Sequence, residues 1–410
     1  MRACLLPLVL LLGCPSASAP VADPTPAPPL DLPEPWVLPE QDAPDPFTSY
    51  RDGSPVTDWD ARRGELLTLF AHYVYGADGP DAAIADPAFV TTPRDEGAVV
   101  QGTLSVAGVS SALTVFLPPG PGPHPVFLAL NKCGNHTLVD WPEVPITSDW
   151  APDSCLGGLT EDSRGSRADS WPVADLLAAG WGLAALHEDP LVPDDRDLAF
   201  STGLVAEVDV ADGDPRRQWG AVGAWAWGLQ RAVDALLLLP AVDPDRIVTV
   251  GHSRRGKAAL LAAARDPRIA ATIPHQSGTA GVTLSRSNGG ESVASITTVF
   301  PHWFAPRFTD FANEERRLPV DQHLLVALVA PRPLFASDGD ADDWADPLGA
   351  RESIQRAAPV WESLGADGLV TEGGEITTDG ALAWGTRPGG HSLEASDWQR
   401  FLSWVQAQGL

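Results

Sequence analysis

Beyond about residue 48 the chain alternates short apolar runs, rich in Val, Ile and Leu, with longer stretches whose apolar residues recur every three or four positions. The runs at 113–117, 125–130, 182–186, 246–250, 270–273, 333–336 and 368–371 are bounded by Gly, Pro and Asp, and their length predicts strands. Between them, the spacing of Trp225, Leu229, Val233 and Leu236 predicts a helix over 221–239, and an Ala/Leu-rich pattern predicts another over 253–264. An amphipathic segment over 398–405 closes the pattern. Strands alternating with helices indicate a three-layer α/β sandwich around a mainly parallel central sheet, because parallel neighbours need a crossover that a helix supplies. Ahead of residue 120 the runs are spaced like hairpins with no helix between them, so the early strands are expected to be antiparallel. No internal repeat and no second Pro-rich linker interrupts 48–410, which is expected to be one domain.

The N-terminal pattern is different. Residues 1–14 carry one positive charge and then an apolar run from Leu5 to Leu12, too short to span a bilayer and suited to an export signal. Leu11-Leu12-Gly13-Cys14 resembles the box in which a cysteine is lipidated, while Ala17-Ser18-Ala19 offers an ordinary cleavage site. A lipid anchor at Cys14 and plain secretion therefore both stand, and the expected location is periplasmic, on the outer membrane or extracellular. The stretch 15–47, dominated by Pro, Ala and Asp, is expected to be an extended tether. After the leader the cysteines are Cys133 and Cys155, an even pair that an exported protein is expected to oxidise to a disulfide, the alternative being two buried thiols.

Composition narrows the function. With 410 residues, 44% hydrophobic and 20% charged, the chain is that of a folded protein long enough to bury a sizeable core. Its net charge of −27 repels polyanions, which argues against a nucleic-acid partner. Almost all positive charge is arginine; the two lysines, Lys132 and Lys257, both stand in short Gly-containing motifs. A coding bias toward arginine accounts for the scarcity, and it makes the two survivors worth following.

The strongest local signal is Val248-Thr249-Val250-Gly251-His252-Ser253-Arg254-Arg255-Gly256-Lys257, a strand, a tight turn and then a helix. This is the order of the nucleophile elbow of α/β hydrolases, although the usual Gly-x-Ser-x-Gly has Arg255 in its fifth place and Gly256 one later. Ser253 is the candidate nucleophile; the alternative is a plain helix cap. Arg254 adjoins the point where acyl transfer develops an oxyanion, and Lys257 lies one helical turn on. A serine needs a general base oriented by an acid, in the chain order serine, acid, histidine. His391, in a Gly-Gly-His-Ser turn, is the candidate base. The acid is expected after the strand 333–336, where Asp338, Asp340, Asp342, Asp343 and Asp346 crowd together, a pattern also compatible with a solvated turn or a calcium loop.

With these residues in view the chain resembles a known family, the glucuronoyl esterases of carbohydrate esterase family 15. The resemblance rests on Leu130-Asn131-Lys132-Cys133-Gly134-Asn135-His136, Ser163-Arg164-Gly165, the stretch from Ala224 through Ala258 with its Gly-His-Ser-Arg-x-Gly-Lys, Phe300-Pro301-His302-Trp303-Phe304, Asp342-Asp343-Trp344-Ala345-Asp346-Pro347 and Gly390-His391-Ser392. It implies an α/β-hydrolase fold and cleavage of the ester between (4-O-methyl)glucuronic acid side groups of xylan and lignin alcohols. It makes Ser253 the nucleophile, His391 the base and Arg254 the oxyanion stabiliser, with Lys257, Glu291 and Trp344 on the sugar. Some members carry a glutamate where this chain has Gln276, which cannot serve as a charged acid; the resemblance then points to Asp342, with Asp340 and Asp343 still open. No cofactor or metal is called for, and a monomer is expected. The rival expectations are an esterase of broader specificity on the same fold and a non-catalytic binding protein, the latter disfavoured because nucleophile, acid and base candidates are all present in order.

Overall fold

Most of those apolar runs become strands in a computed structural model, which describes residues 29–147, 151, 152, 154, 155, 158–287 and 289–410. The strands are β1 (Val90–Arg94), β2 (Gly97–Val106), β3 (Val109–Leu117), β4 (His124–Asn131), β5 (Gly182–His187), β6 (Val242–His252), β7 (Ala271–His275), β8 (Leu334–Gly339), β9 (Thr371–Glu372), β10 (Glu375–Ile376) and β11 (Leu382–Arg387). One sheet runs β1-β2-β3-β5-β4-β6-β7-β8-β11. Pairing is antiparallel from β1 to β5 and parallel from there on, as the absence of early helices predicted.

The helices are α1 (Trp59–Phe70), α2 (Val173–Ala178), α3 (Gly203–Glu207), α4 (Ala221–Leu236), α5 (Arg254–Arg265), α6 (Val293–Val299), α7 (Gln322–Ala327), α8 (Pro347–Ser363) and α9 (Ala395–Ala407). Central strands are apolar without interruption because both faces of the sheet are covered. Phe127, Val248, Ile273 and Phe335 pack with Leu176 of α2 and with Trp398, Phe401 and Val405 of α9. α4 and α5 pack on each other and on β4 and β6, and α4 buries Trp225 and Trp227, whose indoles donate to the carbonyls of Val192 and Pro80. The C-terminal ends of β4, β5, β6, β8 and β11 all lie at one edge of the sheet, the place where open parallel sheets carry their sites. Cys133 and Cys155 are joined by a disulfide in the segment that follows β4.

Two expectations need correction. The run 368–371 is not a sheet strand: Leu369 makes one isolated bridge to Leu382, Thr371 belongs to the β9–β10 hairpin, and the last sheet strand is β11. Leu-Ala-Trp-Gly-Thr-Arg lacks the β-branched density of the other strands, yet Leu382 and Ala383 are fully buried beside β8 and hold it in the sheet. The tether expected over 15–47 also ends earlier. The larger compact unit is Leu32–Leu410, and of the residues before it only 29–31 are described. Within the larger unit, Arg307 binds Glu34, Leu38 is buried, and the carbonyls of Pro33, Pro44 and Pro46 accept from Tyr73, His323 and Arg62. Proline removes donors but leaves carbonyls, and these are what the body binds. The export signal, Cys14 and residues 15–28 lie outside the described residues.

Candidate active site

Strand β6 runs beside β7 up to the pair His252 and His275, and α5 begins two residues later at Arg254. Ser253 turns the chain between them with φ 59° and ψ −129°, a conformation that a non-glycine residue adopts only under strain. Such strain marks an elbow rather than a plain helix cap, and no cap bond from the Ser253 side chain is made. The displaced glycine has a steric cause. A Cβ on Gly251 would lie 2.3 Å from the Arg255 carbonyl oxygen, and one on Gly256 would lie 2.8 Å from that of Gly251 and 3.1 Å from that of His275. Strand and helix approach too closely for any side chain at either position.

His391 lies in the turn between β11 and α9, fastened on both sides. The Gln276 amide donates to the Gly390 carbonyl at 2.7 Å and accepts from the Ser392 N–H at 2.9 Å, while Arg387 donates to the Ser392 carbonyl at 2.8 Å. A carboxylate at 276 could accept but not donate, so the amide does work here that an ionised glutamate cannot. His391 Nδ1 meets Asp342 Oδ2 at 2.7 Å, and Asp342 Oδ1 accepts from the Ala345 N–H at 3.1 Å. The crowded aspartates are thereby sorted. Asp338 is buried against the Trp384 indole, and burial pushes its carboxyl up to about 7. Asp340 accepts from the Gly389 N–H, Asp343 is exposed, and Asp346 caps α8 through the Gly349 N–H.

Ser253, Arg254, Lys257, Glu291, Trp344 and His391 line one cavity of about 210 Å³. Arg254 donates to Asp194 Oδ2 at 2.7 Å and lies over the ring of Trp303, 4.1 Å from its centroid, with Phe300 stacked on that ring. Asp194 also accepts from the Trp303 indole and contacts His302 Nε2 at 3.1 Å. Burial alone would raise the Asp194 pKa, but hydrogen bonding to His302 and the charge of Arg254 outweigh it and hold the carboxyl below its usual range. Lys257 is buried and donates to the carbonyls of Ser277 and Thr279, with Glu291 Oε2 3.9 Å away. Burial pulls its amine down to about 8 and raises Glu291, so the pair has little hydration to lose when a ligand covers it. Glu291 Oε1 is buried without a hydrogen-bond partner, an acceptor facing nothing. Trp344 is 50% exposed and forms a rim.

The cavity therefore holds every site residue expected from sequence except Asp342, which stands behind His391. Sequence reasoning assigned no role to Asp194 and saw Phe300 and Trp303 only as parts of a motif. Asp194 sits in Pro193-Asp194-Asp195-Arg196-Asp197, which reads as a solvated turn and carries no signal of burial.

Comparison with known proteins extends the likeness along the chain. A family model described as glucuronyl esterase, fungi, matches residues 214–365. Carbohydrate esterase MZ0003 from an unknown prokaryotic organism is 34% identical over 397 residues, covering 90% of each chain. The 4-O-methyl-glucuronoyl methylesterase 1 of Wolfiporia cocos is 32% identical over 336 residues, 78% of this chain and 72% of the relative. A glucuronoyl esterase structure from Solibacter usitatus superposes with a TM-score of 0.79 at 32% identity, covering 90% of this chain and 98% of that one. A promiscuous esterase of carbohydrate esterase family 15 from a marine bacterial metagenome gives 0.80 at 32% identity, with 91% and 98% covered. By fold and by sequence over most of its length, this α/β-hydrolase chain belongs to the glucuronoyl esterases, carbohydrate esterase family 15.

Proposed function

We propose that the protein is a serine esterase that hydrolyses the ester between a (4-O-methyl)glucuronic acid side group of xylan and a lignin alcohol. The observation that carries this reading is the His391–Asp342 contact at 2.7 Å beside a cavity that also presents Ser253 and the buried Lys257–Glu291 pair. In the reaction His391 takes the Ser253 proton as the hydroxyl oxygen attacks the ester carbonyl, and Asp342 holds the imidazolium that forms. The negative charge that develops on the carbonyl oxygen faces the Arg254 side of the elbow at the start of α5, where the guanidinium and helix N-terminus favour an anion. His391 returns the proton to the departing alkoxide; water, deprotonated by the same base, then attacks the acyl carbon, and His391 hands that proton to Ser253 Oγ as the uronate leaves. Lys257 donates to a sugar hydroxyl while the unpartnered Glu291 oxygen accepts from one, and the exposed face of Trp344 covers the ring.

Export belongs to the same proposal, either by plain secretion or with a lipid anchor at Cys14. A broader ester hydrolase is the second reading, favoured by the half-exposed Trp344 and by the promiscuity named for the marine relative. Purified Ser253→Ala protein is expected to lose hydrolysis of benzyl glucuronate while keeping its fold; turnover near that of the parent would overturn the assignment of the nucleophile.

A further inference from the structure

A second cavity, of about 310 Å³, flanks the same two residues and shares no lining residue with the first. Gly251 and His252, just before Ser253, form one wall, and Ser392 and Leu393, just after His391, form another. An ester has two halves. With the acyl half beside Lys257 and Glu291, the alkoxy oxygen must face His391, which returns its proton, and the two residues that follow His391 in the chain line this cavity.

Its chemistry is specific. Trp171 is half-buried against Trp398, their rings 5.3 Å apart, and with Leu393 it supplies an apolar wall. Lys132 Nζ donates to Ser154 Oγ at 2.8 Å and Arg167 Nη2 to the Ser154 carbonyl at 2.6 Å, so two cationic heads stand side by side. Each keeps donors to spare. Arg255 also lines the cavity, but buried Glu188 grips it through both oxygens. In a chain with 54 acidic residues, no carboxylate lines this space among the described residues. An aromatic wall beside two spare cationic donors suits a ring bearing oxygen atoms.

We propose that this second cavity receives the alcohol half of the ester, an aryl-alkyl alcohol whose ring packs on Trp171 and Leu393 and whose ring oxygens accept from Lys132 and Arg167. The proposal rests on the esterase function proposed above. It also gives Lys132, the lysine that the sugar site leaves unused, a ligand.

The test compares kcat/KM of the full chain on methyl glucuronate and on the 3-(4-hydroxy-3-methoxyphenyl)propyl ester. The aryl-to-methyl ratio is expected to fall about tenfold in Trp171→Ala and about fivefold in Lys132→Met, since each removes one well-packed or hydrogen-bonded contact. Ratios within about twofold of the parent in both variants, each melting like the parent, would overturn the proposal. Wild-type protein inert on both esters would count against the esterase reading alone. Calorimetry with the free aryl alcohol then decides: binding that Trp171→Ala weakens supports the cavity, and absent or unchanged binding refutes it.

Discussion

Replacing Asp342 by asparagine keeps the volume and removes only what the proposed base needs. Asp342 is 2% exposed and both of its oxygens are committed, one to His391 Nδ1 at 2.7 Å and the other to the Ala345 N–H at 3.1 Å. An asparagine that keeps its oxygen on Ala345 must turn its NH2 toward Nδ1. The ring proton then moves to Nε2, the nitrogen that has to be free to accept the Ser253 proton, and no charge remains to hold the imidazolium. The same substitution in a serine-protease triad lowers kcat by about 10⁴. A loss of about 10³ to 10⁴, or roughly 4 to 5.5 kcal/mol of transition-state stabilisation, is expected for Asp342→Asn. The assay is kcat on benzyl glucuronate at neutral pH, with Asp343→Asn as comparison because Asp343 is exposed. Asp343→Asn should stay within about twofold of the parent, as exposed substitutions away from special features do. Asp342→Asn retaining more than about a tenth of kcat, or Asp343→Asn falling further than Asp342→Asn, would refute the assignment.

Arg254→Ala is expected to lower kcat by about 10² to 10³ with a smaller change in KM, the signature of a group that acts on the developing oxyanion; a raised KM at unchanged kcat would make it a ground-state binder instead. Burial holds Lys257 near 8, so it is charged below that pH and loses its proton above it. A decline in kcat/KM centred near pH 8 is therefore expected, and Lys257→Met should abolish it; persistence in the variant would assign the limb elsewhere. Asp397 is fully buried and accepts from Arg387 at 2.8 Å. Burial would raise its pKa, yet His275 and Arg387 hold it below the usual range, so its contribution to stability is present above the unfolded carboxylate value of about 4 and is lost as pH falls through the folded value. Asp397→Ala should cost about 3 to 5 kcal/mol in urea unfolding at neutral pH, a gap that narrows in acid; an equal gap at both would contradict the linkage.

The parts of this site that were legible in the sequence are those set by local periodicity. Val248–Val250 and the Ala/Leu pattern after Lys257 define strand and helix by themselves, so the turn at Ser253 could be located to the residue. His391 was marked by its Gly-Gly-His-Ser turn, although the strand that carries it was misplaced, because β11 is held by burial against β8 rather than by strand-like composition. Spacing does not single out Asp342 among five aspartates, since its contact with His391 is made to a turn 49 positions away. Asp194 and the clamp made by Gln276 were invisible for the same reason. Their partners, Trp303 and Gly390, stand 109 and 114 positions away, and only the folded sheet brings them together. The Pro-rich run after Leu32 misled in the opposite direction: it looks like a linker because it lacks periodicity, but its carbonyls are taken up by buried side chains of the body.

If the Lys257–Glu291 pair reads the hydroxyls of a glucuronate ring while Ser253 cleaves its ester, the enzyme must tell that ring from its epimers. Benzyl glucuronate and benzyl galacturonate present the same carbonyl and leaving group and differ in the direction of one ring hydroxyl, so their kcat/KM values measured side by side isolate sugar recognition. A preference for glucuronate of about tenfold or more is expected, the scale seen when a buried hydrogen-bonding pair is left unmatched. Equal rates on the two esters would contradict it.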